Sequence, residues 1–281
     1  MDLDYSMDYL EIETKYIQGE KERYAYREIG PESGIPLLML PHLSATMDNW
    51  DARFLNPIAK LRKVIVFDNQ GIGASTGKVQ KSIQDMANGV SDFVQALGIK
   101  RFDLLGLSMG GFIAQEYLDI SPEKVRKLIL AGTGPRGGQG ISKVARVTYQ
   151  DMIRSAIYRT DPKRFLFFNH DDEGKKYADD FLSSLNRRKE NIDTPIKISS
   201  FRAQLKAIKK WGKEAPANLS QIQQQTLIIN GDNDRMVPTK NSFVLSKKIP
   251  NKNLEIYSNA GHGSIFQYPK ESSELINNFL F

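Results

Sequence analysis

The stretch Gly106-Leu107-Ser108-Met109-Gly110-Gly111 holds a serine with glycine two positions before it and two positions after it. An apolar run, Phe102-Asp103-Leu104-Leu105, precedes it, and a helical pattern, Phe112-Ile113-Ala114-Gln115-Glu116-Tyr117-Leu118, follows. That order reads as strand, sharp turn, helix. A residue at the apex of such a turn takes a strained backbone conformation, and the glycines remove side chains that would collide where the chain crosses itself. The turn lifts the hydroxyl clear of the sheet, where a base can reach it.

Outward from this turn, residues 37–40 (Leu-Leu-Met-Leu) and 64–67 (Val-Ile-Val-Phe) are short continuous apolar runs followed by turn residues. Such runs suit strands buried on both faces of a parallel sheet. Ahead of them, residues 10–17 and 23–29, joined around Gly19-Glu20, read as a hairpin. Residues 82–97 carry Ile83, Met86, Val90, Phe93, Val94 and Leu97 at helical spacing, with Gly98 just past the end. Further strands are expected at 125–131, 226–230 and 254–257, and an amphipathic helix at 270–281. Alternating strands and helices predict an α/β protein with a mostly parallel, eight-stranded sheet covered by helices on both faces. Between residues 140 and 215 the strand pattern stops, and 144–158, 177–188 and 196–211 read as helices. The expected organisation is a core of residues 1–138 and 216–281, interrupted by a helical cap at 139–215 that forms a lid over the carboxyl edge of the sheet.

Composition narrows the function classes. The 281 residues suffice for one large α/β domain with an insertion. The net charge of +6 is concentrated in residues 139–215, which hold 17 Lys and Arg against 10 Asp and Glu. We read this as a solvated helical surface, since no nucleic-acid module accompanies it. No apolar stretch approaches the ~18 residues of a membrane span, so no membrane partner is expected. The acidic start, residues 1–8, lacks the basic region and apolar run of a signal peptide. There is no cysteine, which excludes disulfides, thiol nucleophiles and thiolate metal sites. A cytoplasmic location fits these features, with a small molecule as the expected partner. Oligomeric state leaves no mark in the sequence.

A serine hydroxyl attacks a carbonyl well only when a base takes its proton, and histidine has the suitable pKa. Only His42, His170 and His262 are available. His262 lies in Asn259-Ala260-Gly261-His262-Gly263, directly after the strand expected at 254–257, where a loop delivers its side chain to the edge at which the serine projects. His170, in Asn169-His170-Asp171-Asp172, reads as a surface residue. The imidazole also needs a carboxylate to hold its tautomer. Gly231-Asp232-Asn233-Asp234-Arg235-Met236-Val237-Pro238 offers two.

In these motifs the chain resembles the α/β-hydrolase superfamily, whose triad partners run in the order Ser, acid, His. Ser108, Asp234 and His262 match that order. The superfamily loop G-x-x-D-x-x-x-P fits Gly231, Asp234 and Pro238, so the resemblance selects Asp234 as the acid and leaves Asp232 to the loop. It also implies an oxyanion hole whose backbone N–H donors are Met109 and a residue of Pro41-His42-Leu43-Ser44. Relatives carry His-Gly there, with Trp nine positions after the histidine. Counting back from Trp50 puts Pro41 at the histidine position, His42 at the glycine position and Leu43 at the donor position. His42 is therefore a departure, assigned to loop structure or to the pocket. Phe67-Asp68-Asn69-Gln70-Gly71-Ile72-Gly73-Ala74-Ser75 resembles D-x-R-G-x-G-x-S with Gln70 in place of arginine, and its role is structural. His42, Trp50, Phe165, Phe168 and Trp211 are the candidate lining of the substrate pocket.

The resemblance implies a serine hydrolase that cleaves a small or medium carboxylic ester, lactone or thioester through an acyl-enzyme. The same triad suits carbon–carbon bond hydrolysis or perhydrolysis without a cofactor. A contrasting expectation is a ligand-binding or receptor protein that keeps the triad without turnover. Neither a cofactor nor a metal is implied. Gly132-Thr133-Gly134-Pro135-Arg136-Gly137 satisfies G-x-G-x-x-G after a strand, yet Pro135 and the following glycines prevent the helix that a dinucleotide site requires. It is read as the hinge of the lid.

Overall fold

The computed structural model of the chain describes residues 8–281, so residues 1–7 of the acidic start lie outside the described residues. The strands and helices are β1 (Lys15–Gln18), β2 (Arg23–Ile29), β3 (Leu37–Leu40), α1 (Ala52–Ala59), β4 (Val64–Phe67), α2 (Ile83–Ala96), β5 (Phe102–Leu107), α3 (Met109–Leu118) and β6 (Val125–Ala131). Four helices follow: α4 (Val144–Tyr158), α5 (Lys163–Phe167), α6 (Asp172–Leu185) and α7 (Ile198–Trp211). The sheet then resumes with β7 (Gln225–Gly231), α8 (Lys240–Lys248), β8 (Lys252–Tyr257), α9 (Ser264–Gln267) and α10 (Pro269–Leu280).

All eight strands form one sheet in the order β1-β2-β4-β3-β5-β6-β7-β8. The pairs β1–β2 and β2–β4 are antiparallel, and every other pair is parallel. The expected fold class is borne out: a mostly parallel eight-stranded sheet between helical layers. Strand β5 shows why both faces are covered. Its six residues are all buried, and Leu104 joins the core under α2 and α3 while Leu105 and Leu107 join the core under α1 and α10. Such a strand has no solvent face, and its one charged residue, Asp103, is paired with Arg126 at 2.6 Å.

Where element bounds differ from expectation, local hydrogen bonding is the reason. The first strand is confined to β1, because Asp8 accepts the Leu10 N–H and caps a 3-10 turn at Tyr9–Glu11. The buried Tyr9 hydroxyl donates to the Met47 carbonyl. Likewise α6 begins before residue 177, since Asp171 caps it by accepting the Gly174 N–H. The short helices α1, α5 and α8 lie outside the sequence expectations.

A buried ionic knot ties β2 to the chain beyond α6. Arg27 is 0% exposed and donates to Asp48 (2.6 Å), Asp193 (2.7 Å), the Asn191 carbonyl (2.7 Å) and Thr14 Oγ1 (3.0 Å). Removing the guanidinium would leave the buried Asp193 carboxylate facing that of Asp48, with Arg188 beside Asp48 as the remaining cation. Arg27→Leu is expected to lower the unfolding free energy by about 3–5 kcal/mol. Urea titration followed by circular dichroism measures this, and a loss under 1 kcal/mol would contradict the assigned importance of the knot.

Candidate active site

Ser108 stands between β5 and α3 with φ 56° and ψ −116°, a left-handed strained backbone that few non-glycine residues adopt. Its own bonds hold the strain in place. The Ser108 N–H donates to the Ala131 carbonyl (2.8 Å), and its carbonyl accepts from the Gly111 N–H (2.9 Å) and the Thr133 hydroxyl (2.8 Å). The flanking glycines are demanded by close approach. A Cβ on Gly106 would sit 2.5 Å from the Gly110 carbonyl oxygen, and one on Gly110 would sit 2.1 Å from that of Leu40.

His262 lies in the loop after β8, 2% exposed, with Nε2 2.8 Å from Ser108 Oγ and Nδ1 2.8 Å from Asp234 Oδ2. A carboxylate only accepts, so Nδ1 carries the ring proton and Nε2 accepts from the serine hydroxyl. Asp234 is in turn fixed by its own loop after β7: its Oδ1 accepts the N–H groups of Met236 (2.8 Å) and Val237 (2.9 Å). These three sequence-singled residues converge in one hydrogen-bonded line. Such a line lets the imidazole take the serine proton as the oxygen attacks, and the carboxylate stabilises the resulting imidazolium.

Asp232 takes a different place. It is exposed, and its carboxylate accepts the Asn259 and Ala260 N–H groups, both at 3.1 Å, which pins the loop bearing His262. Met109 opens α3, so its N–H has no carbonyl one turn earlier to donate to. The Leu43 N–H likewise has no partner among the described residues. Asp68 organises the neighbouring loop by accepting the N–H groups of Met47 (3.1 Å) and Ala74 (3.0 Å). The G-x-G-x-x-G segment opens no α-helix: residues 132–140 are turns, and α4 starts only at Val144.

A cavity of about 280 Å³ adjoins the loop after β3, walled by His42, Leu43, Met152, Leu166, Phe167 and Phe201 among others. The other aromatic residues expected to line a pocket are elsewhere. Trp50 is buried against Phe54 and Phe266. Trp211 stacks on Phe112 at 4.3 Å and donates its indole N–H to Glu116 (2.7 Å), sealing α7 onto α3. Phe168 packs on Phe181. Phe165 lies under the Arg154 guanidinium in a larger basic cavity of about 620 Å³, together with His170. Ser108, His262 and Asp234 wall neither cavity, but the smaller one is walled by His42 and Leu43 of the loop after β3 and by Phe167, which contacts His262. Trp50, Phe168 and Trp211 are thus buried in packing, while Phe165 and Trp211 also line cavities away from the serine. Of the run Phe165-Leu166-Phe167-Phe168, Phe167 reaches the site: its ring centre is 5.7 Å from that of His262, and its carbonyl accepts the Gly263 N–H (2.8 Å).

Comparison with known proteins agrees with this fold. Residues 35–269 match the family described as alpha/beta hydrolase fold. The chain belongs to the α/β-hydrolase fold family. Among solved structures it is similar to an alpha/beta hydrolase fold protein from Chitinophaga pinensis, with 36% identity, a TM-score of 0.90 and coverage of 98% of this chain and 99% of that one. A Pseudomonas putida protein named 2-hydroxy-6-oxononadienedioate/2-hydroxy-6-oxononatrienedioate hydrolase 2 is 27% identical over 267 residues, 91% of this α/β hydrolase and 90% of its own length. A hydrolase named for the same substrates from Escherichia coli O81 (strain ED1a) is 28% identical over 240 residues, 82% and 80% of the two chains. Among the described residues, no helix is long and apolar enough to cross a membrane, and no three His, Asp or Glu side chains cluster as a metal site.

Proposed function

We propose that this α/β hydrolase cleaves a carboxylic ester, lactone or thioester through an acyl-enzyme on Ser108. The observation that carries the reading is the pair of 2.8 Å hydrogen bonds joining Ser108 to His262 and His262 to Asp234. Ser108 Oγ attacks the carbonyl carbon while its proton passes to His262 Nε2. The amides of Met109 and Leu43 receive the charge that develops on the carbonyl oxygen. When the tetrahedral species collapses, the leaving alcohol or thiol takes the proton from His262. Water then attacks the acyl-serine and gives a proton to His262, the acid departs, and Ser108 regains its hydrogen. Helices α4 to α7 act as the lid that bounds the substrate and keeps water scarce at the serine.

A second reading is carbon–carbon bond hydrolysis with the same triad, favoured by the names of the two curated relatives. There the leaving group is a carbon that must accept the proton.

Two measurements test these readings. A fluorophosphonate probe is expected to label the native protein at one site. No label beside a labelled control esterase would sink the hydrolase reading and leave a binding protein. A panel of phenyl esters, lactones and 2-hydroxy-6-oxodienoic acids then separates the chemistries. Ester or lactone turnover at least tenfold above dienoate cleavage supports the first reading, and the reverse ratio supports the second.

A further inference from the structure

His42 lies in the loop after β3 and is 4% exposed. Nδ1 lies 2.8 Å from the Leu43 carbonyl oxygen. A carbonyl oxygen only accepts, so Nδ1 carries the hydrogen and Nε2 is left as a bare lone pair. That Nε2 is buried and has no hydrogen-bond partner among the described residues. Protonation does not rescue it, because burial pushes the ring down to a pKa of about 3. A buried acceptor without a donor is costly and rarely kept without a use.

The surroundings of the ring indicate the use. It lines the cavity of about 280 Å³ and meets Phe167 edge-on at 4.8 Å. Phe167 also meets His262, with ring centres 5.7 Å apart, so one phenyl ring contacts both imidazoles. His42 is also the chain neighbour of Leu43, whose amide faces the reacting oxygen in the mechanism above. The walls contributed by Met152, Leu166 and Phe201 are apolar. Lys163 is the cation of this cavity, and Asp161 offsets it at 3.3 Å. The orphaned acceptor thus belongs to a residue that walls this cavity, and the Lys163–Asp161 pair leaves the cavity with no net demand for an anion.

We propose that His42 Nε2 accepts a hydrogen bond from a neutral O–H or N–H of the substrate close to the reacting carbonyl. The preferred substrates are then hydroxyl- or amide-bearing acyl compounds, and plain acyl chains are disfavoured. This rests on the hydrolase reading and names its substrate class. A site built around a buried acceptor discriminates strongly, because an analogue without the donor leaves the lone pair unpaired. An ether in the same place is worse, since it brings a second lone pair against the first.

Matched substrates test the proposal. Phenyl 3-hydroxybutyrate is compared with phenyl 3-methoxybutyrate, and the phenyl ester of N-acetylglycine with that of N-acetyl-N-methylglycine. In the native enzyme the donor-bearing member of at least one pair is expected to have a kcat/KM about 10–100-fold higher. In His42→Phe, which keeps a flat ring but no acceptor, that ratio is expected to collapse to within about threefold. His42→Met serves if the phenylalanine variant does not fold, and thermal unfolding checks both. A native ratio near one for both pairs overturns the proposal, as does an unchanged ratio in a folded variant. Fluorophosphonate labelling accompanies each assay. A labelled native enzyme with no donor preference refutes this inference alone, whereas an unlabelled native enzyme refutes the hydrolase reading and this inference with it.

Discussion

Ser108→Ala is expected to lower kcat/KM by about 10⁵-fold or more, with folding nearly unchanged. The substitution removes the oxygen that pairs with His262 Nε2 at 2.8 Å, so no covalent intermediate forms. The strained backbone at φ 56° survives, because alanine keeps the Cβ and the bonds to Ala131, Gly111 and Thr133 run through the main chain. What remains is a pocket that binds substrate beside an idle oxyanion hole, which accelerates attack by water only weakly. Rates with the best ester of the panel and fluorophosphonate labelling give the readout. Labelling that persists in Ser108→Ala would show that another residue is the nucleophile.

Asp234→Asn is expected to reduce kcat by about 10³–10⁴-fold. The orientation of the new amide follows from the loop. Oδ1 is held by the Met236 and Val237 N–H groups, so the amide must direct its oxygen there and its NH₂ group at His262 Nδ1. A donor facing Nδ1 forces the ring proton onto Nε2, where it blocks removal of the serine proton. Asp232→Asn provides the contrast. Its carboxylate only positions the loop through Asn259 and Ala260, and an amide retains one acceptor for that purpose. A loss of about tenfold or less is expected there, since one loop hydrogen bond goes and the catalytic groups stay. A large loss confined to Asp232→Asn would exchange the two assignments.

The residues that converge on the serine were legible in the sequence because each is attached to a strand end, and strand ends share one edge of a parallel sheet. The apolar runs fix the strands, the glycines beside Ser108 and His262 mark the turns, and one loop supplies two carboxylates, between which the family resemblance selects Asp234. Pocket lining was far less legible. Phe165, Phe167 and Phe168 are alike in composition, and only the phase of a five-residue helix decides which one meets His262. A helix that short carries too little periodicity to read. Trp50 and Trp211 mislead for a related reason: a large aromatic residue near a cleft is as useful for sealing helices to the sheet as for holding a ligand. The lone pair of His42 was beyond sequence altogether, because it depends on which ring nitrogen meets the Leu43 carbonyl.

The bond from Gly263 to the Phe167 carbonyl constrains how substrate can enter. A flap that swung away as one piece would drag α5 off the loop of His262 and disarm the base with every opening. For the proposed lid, admission is expected to leave α5 docked and to pass by α4 and α7, which contribute Met152 and Phe201 to the cavity wall. Such a lid would work as a sash in a fixed frame, with His262 fastened to the frame.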